Sequence, residues 1–279
     1  MGVIGRRGAR SGFLACLAVL VAFTAAGCLG SSATPETIFV TPTPGPATPL
    51  PSGATAAPPT ATAAPTTPII DSVVIDSNAP DSRWKVTFKK PVVSGIPEAA
   101  ATKINDAITA KINGYITAFT GSGLPAVASG DGPSSLQGDF TTALNSPSLV
   151  SLRFTVLTYV TGAAHPVGVP GSINFIVSSG ATISLADIFK DPTAALATLS
   201  VKAQAALATS LGSDLAWPGA ATSMSFFDKA WAMTPAGLEF AWPQGDLASM
   251  AAGMPSATLT WSSIKTIIKT TGPAGEFAH

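Results

Sequence analysis

Ten prolines fall between Pro35 and Pro68, in a stretch of Thr, Ala, Ser and Gly whose only charge is Glu36. Proline fixes φ and removes a hydrogen-bond donor, and almost no side chain here could fill a core. Residues 28–68 therefore read as a disordered, polyproline-like linker. At about 3 Å per residue such a linker reaches on the order of 100 Å. Its threonines beside prolines also suit O-glycosylation. Whatever folds must do so from Ile69 to His279, 211 residues that are enough for a large core.

Residues 1–27 have the three parts of a signal peptide. Arg6, Arg7 and Arg10 make a basic start, Gly12 to Phe23 is an apolar run, and Ala25-Ala26-Gly27-Cys28 is a small-residue exit. The run is shorter than the roughly 20 residues that span a bilayer. The exit resembles the bacterial lipobox, with Ala25 where Leu is usual. That resemblance implies cleavage before Cys28 and lipid on its thiol, hence an extracytoplasmic protein anchored to the bacterial cell membrane. The Arg6-Arg7 pair fits twin-arginine export as well as a generic basic start.

Removing the leader takes away three arginines and no acid, leaving 12 basic and 15 acidic side chains. A net charge of −3 with no basic stripe argues against nucleic-acid binding. Cys16 leaves with the leader, so the domain has no disulfide and must be held by its core.

Val73–Ser77 and Trp84–Val93 read as strands. From Pro97 to about Thr120, Ile104, Ile108, Ile112, Tyr115, Ile116 and Phe119 recur on one face of a helix. After a Gly/Ser/Pro loop to Pro133, Leu136–Leu144, Val150–Val160 and Ser172–Val177 read as strands, with a turn at Ser178-Ser179-Gly180. Leu185–Phe189 is a short helix. Asp191 and Pro192 are N-cap and first residue of a longer helix to about Leu211. Phe226–Met233 and Leu238–Trp242 read as a hairpin, Ala257–Trp261 as a last strand, and Ser262–Lys269 as a last helical turn or two. Without a repeated βαβ unit, the expected fold is α+β, an antiparallel or mixed sheet with helices packed on one side. The parts are 69–133 and 134–279.

Catalytic groups are sparse. His165 is the one histidine before the terminal His279, and no zinc-ligand spacing, G-x-S-x-G or phosphate-binding loop occurs. No cofactor or metal is expected. A Ser-His-acid arrangement would need His165 as base, oriented by an acid such as Asp139 or Asp187. Trp84, Trp217, Trp231, Trp242 and Trp261 read mainly as core, Trp217 being the one expected on an exposed loop.

One constellation is more specific. Phe154 to Tyr159 leads into Val160-Thr161-Gly162-Ala163-Ala164-His165-Pro166, followed by Ile173-Asn174-Phe175, Gly180 and Leu185-Ala186-Asp187-Ile188-Phe189. The ending Gly237-Leu238-Glu239-Phe240, Ala251-Ala252-Gly253 and Leu259-Thr260-Trp261 belongs with it. Together they resemble the extracytoplasmic domain of RsiV, the lysozyme-sensing anti-sigma factor family. That domain also occurs in peptidoglycan-deacetylase-associated proteins and a secreted mycobacterial antigen. Ala163 stands where the family has its second Gly, so the turn is expected to be built differently.

The resemblance implies a non-catalytic module facing the envelope, in some members a lysozyme binder. Neither the sigma-binding segment and membrane helix of the sensors nor the deacetylase domain of other relatives is read here. The expected function is a lipid-anchored cell-envelope protein displaying a binding module for a lysozyme-type muramidase, an envelope protein or peptidoglycan. Tyr159, Gly162, Ala163, Ala164, His165 and Pro166 are its candidate binding or motif residues. The alternative is an envelope hydrolase using His165.

Overall fold

The computed structural model describes residues 66–128, 130–218 and 223–279. Cys28, the segment expected to be a signal peptide and nearly all of the Pro-rich stretch lie outside the described residues. The described chain is α+β, with two sheets and few helices. The larger sheet has the order β1 (Ile69–Asn78), β2 (Trp84–Ser94), β3 (Ser134–Asn145), β4 (Leu149–Tyr159) and β5 (Val167–Ile176). It is mixed: β2 and β3 run parallel, and every other neighbouring pair is antiparallel. The smaller sheet is antiparallel, with β6 (Trp231–Met233), β7 (Gly237–Ala241) and β8 (Ser256–Thr260) in that order.

Each sheet carries its helix on one side. α1 (Glu98–Thr120) lays Ile104, Ile108, Ile112 and Phe119 against Phe88, Leu136, Leu152, Phe154 and Phe175 of the large sheet. The 3.6-residue period thus names its buried face correctly. Asn105 adds a contact that periodicity does not reveal. Its amide accepts from Val93 N–H and donates to Val93 C=O, both at 2.8 Å, pinning α1 to β2. Tyr115 reaches the sheet where β5 has Gly171, and a Cβ there would overlap the tyrosine hydroxyl.

α2 (Pro192–Leu211) starts as the sequence predicts. The Asp191 carboxylate accepts from Thr193 N–H at 2.9 Å and Ala194 N–H at 3.0 Å, and Pro192 needs no partner at the first position. By length and composition this helix is apolar enough to cross a membrane. In the fold, Ala195, Leu199, Ala203 and Leu207 are buried in one cluster with Met233, Leu238, Phe240 and Leu259 of the small sheet.

The small sheet lies on the face of the large sheet opposite α1. Alternation along β7 explains how. Leu238 and Phe240 belong to the α2 cluster, while Glu239 points back to Arg153 of β4. Three polar side chains complete the seam. Ser172 Oγ accepts from Trp231 N–H at 2.8 Å, Asn174 Nδ2 donates to Trp231 C=O at 3.1 Å, and Ser151 Oγ accepts from Met233 N–H at 3.0 Å. Ser151 Oγ in turn donates to Asn174 Oδ1 at 2.5 Å. Ser151 and Asn174 are both buried.

Several boundaries differ from the sequence reading, and β1 begins at Ile69 rather than Val73. β5 begins at Val167 rather than Ser172. The run expected as a strand from Phe226 is instead a helical turn, α3 (Met224–Phe227), and β6 starts only at Trp231. Phe226 and Phe227 stack edge-to-face at 5.1 Å inside an aromatic group with Trp242, Phe240 and Trp217, so packing overrides strand propensity. The final helical segment is one turn, α4 (Trp261–Ile264).

Burial pushes the Tyr115 hydroxyl up to about 12, above its ordinary 10.0. The folded state keeps this proton over a range where the unfolded chain releases it, so the stability it contributes is complete below pH 10 and is lost as pH rises toward 12. Urea midpoints at about pH 9 and about pH 11 should therefore differ, and the difference should shrink in Tyr115→Phe. A tyrosinate absorbance phase near pH 12 should vanish in the same variant.

Candidate functional site

The candidate residues sit on the hairpin joining β4 to β5, at the end of the large sheet where β2 and β3 begin. Thr161 fastens this hairpin to its neighbours. Its N–H donates to Ser134 Oγ at 3.0 Å, and its hydroxyl donates to Gly132 C=O at 2.9 Å. Ser134 N–H donates to Arg83 C=O at 3.1 Å, which brings the Ala79–Trp84 loop alongside. In that loop Arg83 holds the Asp81 carboxyl below its usual range, chiefly by a 2.6 Å hydrogen bond from its guanidinium, with its backbone N–H and its charge adding less. A shallow cavity of about 330 Å³ lies at the same end, lined by Pro80, Arg83, Trp84, Thr120 and Leu124.

The hairpin turn is made by one glycine. Gly162 has φ +86°, and Ala163 N–H closes the turn on Val160 C=O at 2.9 Å. Ala163 does not take a positive φ. The alanine therefore fits this turn without strain.

Tyr159 is half-buried at the end of β4, opposite Ser135. Gly162, Ala163, Ala164, His165 and Pro166 are all exposed. His165 Nδ1 donates to Pro166 C=O at 2.9 Å, which turns Nε2 toward solvent. The two acids weighed as its orienting partners are engaged elsewhere. Asp187 caps the 3₁₀ turn Leu185–Ile188 through Ser184 N–H and Oγ, at 3.0 and 2.7 Å. Asp139 lies 3.9 Å from Lys89. Among the described residues the triad considered from sequence is not assembled. Leu157, Val160 and Val167, on the stem and flanks of the turn, are exposed aliphatic side chains.

The remaining motif residues have structural work. Asn174 belongs to the seam under β6. Phe175, Leu185, Ile188 and Phe189 are core. Trp231, Trp242 and Trp261 are buried as expected, and Trp84 is partly buried. Trp217 corrects the sequence reading. It is half-buried, edge-on to Phe226 at 5.4 Å and Trp242 at 6.4 Å, rather than displayed on an exposed loop. Its Nε1 is buried without a hydrogen-bond partner among the described residues.

Sequence reasoning did not single out two further concavities. One, of about 240 Å³, lies between the sheets around the Arg153–Glu239 ion pair, with Trp231, Ser172 and Met254 on its walls. A charged residue on alternate positions of two otherwise apolar strands was the available signal. The other, of about 640 Å³, is a groove on the uncovered part of the large sheet, lined by Val74, Lys89, Gln137, Asp139, Thr155 and Leu157.

Residues 186–262 match the model of a family described as a protein of unknown function, DUF3298. No curated protein matches. A DUF3298 family protein from Pseudomonas aeruginosa PAO1 superposes with a TM-score of 0.52 at 14% identity, covering 72% of this chain and 94% of that one. A member from Bacteroides fragilis NCTC 9343 gives 0.45 at 15% identity, covering 75% and 97%.

The Arg153–Glu239 pair is part-buried, so Arg153→Ala strands a shielded carboxylate at the seam and should cost about 1–2 kcal/mol. Arg153→Met combined with Glu239→Leu should recover most of that loss, as read by urea denaturation.

The chain thus carries, over residues 186–262, a segment similar to the DUF3298 family, within a fold shared with the Pseudomonas protein.

Proposed function

We propose that this chain is a lipid-anchored protein of the bacterial cell envelope that displays a non-catalytic binding module. Cys28 carries the lipid, and the Pro-rich stretch carries the domain away from the membrane. The recognition surface is the β4–β5 hairpin from Tyr159 to Val167, and its partner is a lysozyme-type muramidase, another envelope protein or peptidoglycan.

One observation carries this reading. The hairpin exposes Val160 and Val167 on either side of His165 in the chain, and the His165 ring is held by a neighbouring carbonyl while Nε2 faces outward. Exposed aliphatic side chains flanking a fixed polar group suit contact with a partner surface. Most of the other residues quoted for the RsiV resemblance are core or capping residues, among them Phe154, Phe175, Leu185, Asp187, Ile188, Phe189, Leu238 and Phe240, and Gly162 to Pro166 is the longest exposed run in the set. The resemblance in turn supplies the lysozyme and wall context.

The test is retention of lysozymes and of purified peptidoglycan by the immobilised chain. The wild type should retain at least one of them. His165→Ala together with Val160→Asp should lose it, and Val201→Asp on α2 should not. Retention of neither probe contradicts a muramidase or peptidoglycan partner, and retention indifferent to the hairpin substitutions contradicts the hairpin as the recognition surface.

A further inference from the structure

The two edges of the large sheet are treated differently. At β5 the backbone is covered at both ends. Gly168 N–H donates to Gln244 Oε1 at 2.9 Å and its carbonyl accepts from Gln244 N–H at 3.0 Å, while Ile183 N–H donates to Asn174 C=O at 2.8 Å. At β1, among the described residues, no strand lies on the outer side of its ten residues. Three large hydrophobic side chains are also exposed on this strand: Ile69 at 55%, Val73 at 47% and Val74 at 62%. A long, bare, aliphatic edge is a template for pairing with another strand.

The sequence of β1, Ile-Ile-Asp-Ser-Val-Val-Ile-Asp-Ser-Asn, says which strand fits. A two-fold axis normal to a sheet keeps every side chain on its own face, so an antiparallel self-pair must be centred on a residue. Centring on Val73 sets Asp71 against Ile75 and Asp76 against Ile70. Centring on Ile75 sets Asp76 against Val74. Centring on Val74 sets Val74 against itself, Val73 against Ile75, Asp71 against Ser77 and Asp76 against Ser72. Only the last of these three puts apolar beside apolar while each carboxylate meets a hydroxyl.

We propose that β1 pairs antiparallel with β1 of a second copy of this chain, on a two-fold axis through Val74, joining two five-stranded sheets into one of ten. Asp71 and Asp76, which discourage most strands from docking on this edge, become register pins in this one arrangement. An edge of this length belongs with weak, transient interfaces, so the dimer forms at high protein concentration.

The test uses the full chain with Cys16→Ser and Cys28→Ser, so that an added thiol is the only one. Facing residues of an antiparallel pair have Cα atoms about 4.5–5.5 Å apart, within disulfide range. Val74→Cys should link to itself under mild oxidation at about 100 µM chain, a concentration chosen for a weak interface. Val73→Cys, which faces Ile75 of the second copy, should link far more slowly, as should Val201→Cys on α2. In sedimentation the chain without added thiols should show dimer, and Val74→Lys should lose it while keeping its far-ultraviolet circular dichroism, since Val74 supports little of the monomer core. A monomer at this concentration, linkage at position 73 or 201 as fast as at 74, or an undiminished dimer in Val74→Lys overturns the proposal.

Discussion

Everything beyond the large sheet depends on how the edge of the small one is satisfied. Among the described residues β6 has only β7 as a strand neighbour, and its other side packs against β4 and β5. Its backbone groups would lose water there without replacement, at about 1–3 kcal/mol each. Ser151, Ser172 and Asn174 take the place of the missing strand and hydrogen-bond Trp231 and Met233 directly. Buried polar side chains in apolar strands are expensive unless every group is paired. Here the Ser151–Asn174 bond and the backbone bonds pair them, so the same residues that would weaken a simple sheet hold two sheets together.

That seam decides which surfaces are left for function. It places the small sheet and α2 over β4 and β5, where Arg153 and Glu239 meet. The hairpin Tyr159–Val167, the Ala79–Trp84 loop and the groove beside Val74 and Leu157 stay outside it. The hairpin is rigidly based, because Thr161 is tied to Ser134 and Gly132, yet its tip is exposed. A fixed base with a free tip is the usual arrangement of a recognition loop.

Local features were the legible ones. The isoleucine stripe of α1, the Asp191-Pro192 start of α2 and the turn after β5 each depend on residues a few positions apart, where period and capping chemistry act. Non-local pairing was not legible. Nothing within β2 or β3 announces that they run parallel, or that the strands divide into two sheets. The apolar run from Phe226 looked like a strand because a short apolar run carries no distinctive period. It became a helical turn once its rings found Trp217 and Trp242. At the candidate site, the turn's Gly-Ala departure was readable from the sequence, whereas the positive φ falls on Gly162 and was not. The roles of Ser151 and Asn174 were not, since their partners lie 82 and 57 residues away in the chain.

Amide hydrogen exchange in Asn174→Ala tests this account most directly. The substitution removes the donor to Trp231 and the acceptor of Ser151 while leaving α1 and β1 to β3 untouched. Protection of the amides in β6 to β8 should then fall together, with the α1-facing core of the large sheet still protected. Equal loss across both sheets, or no loss in β6, would show that the small sheet is held by something other than this seam.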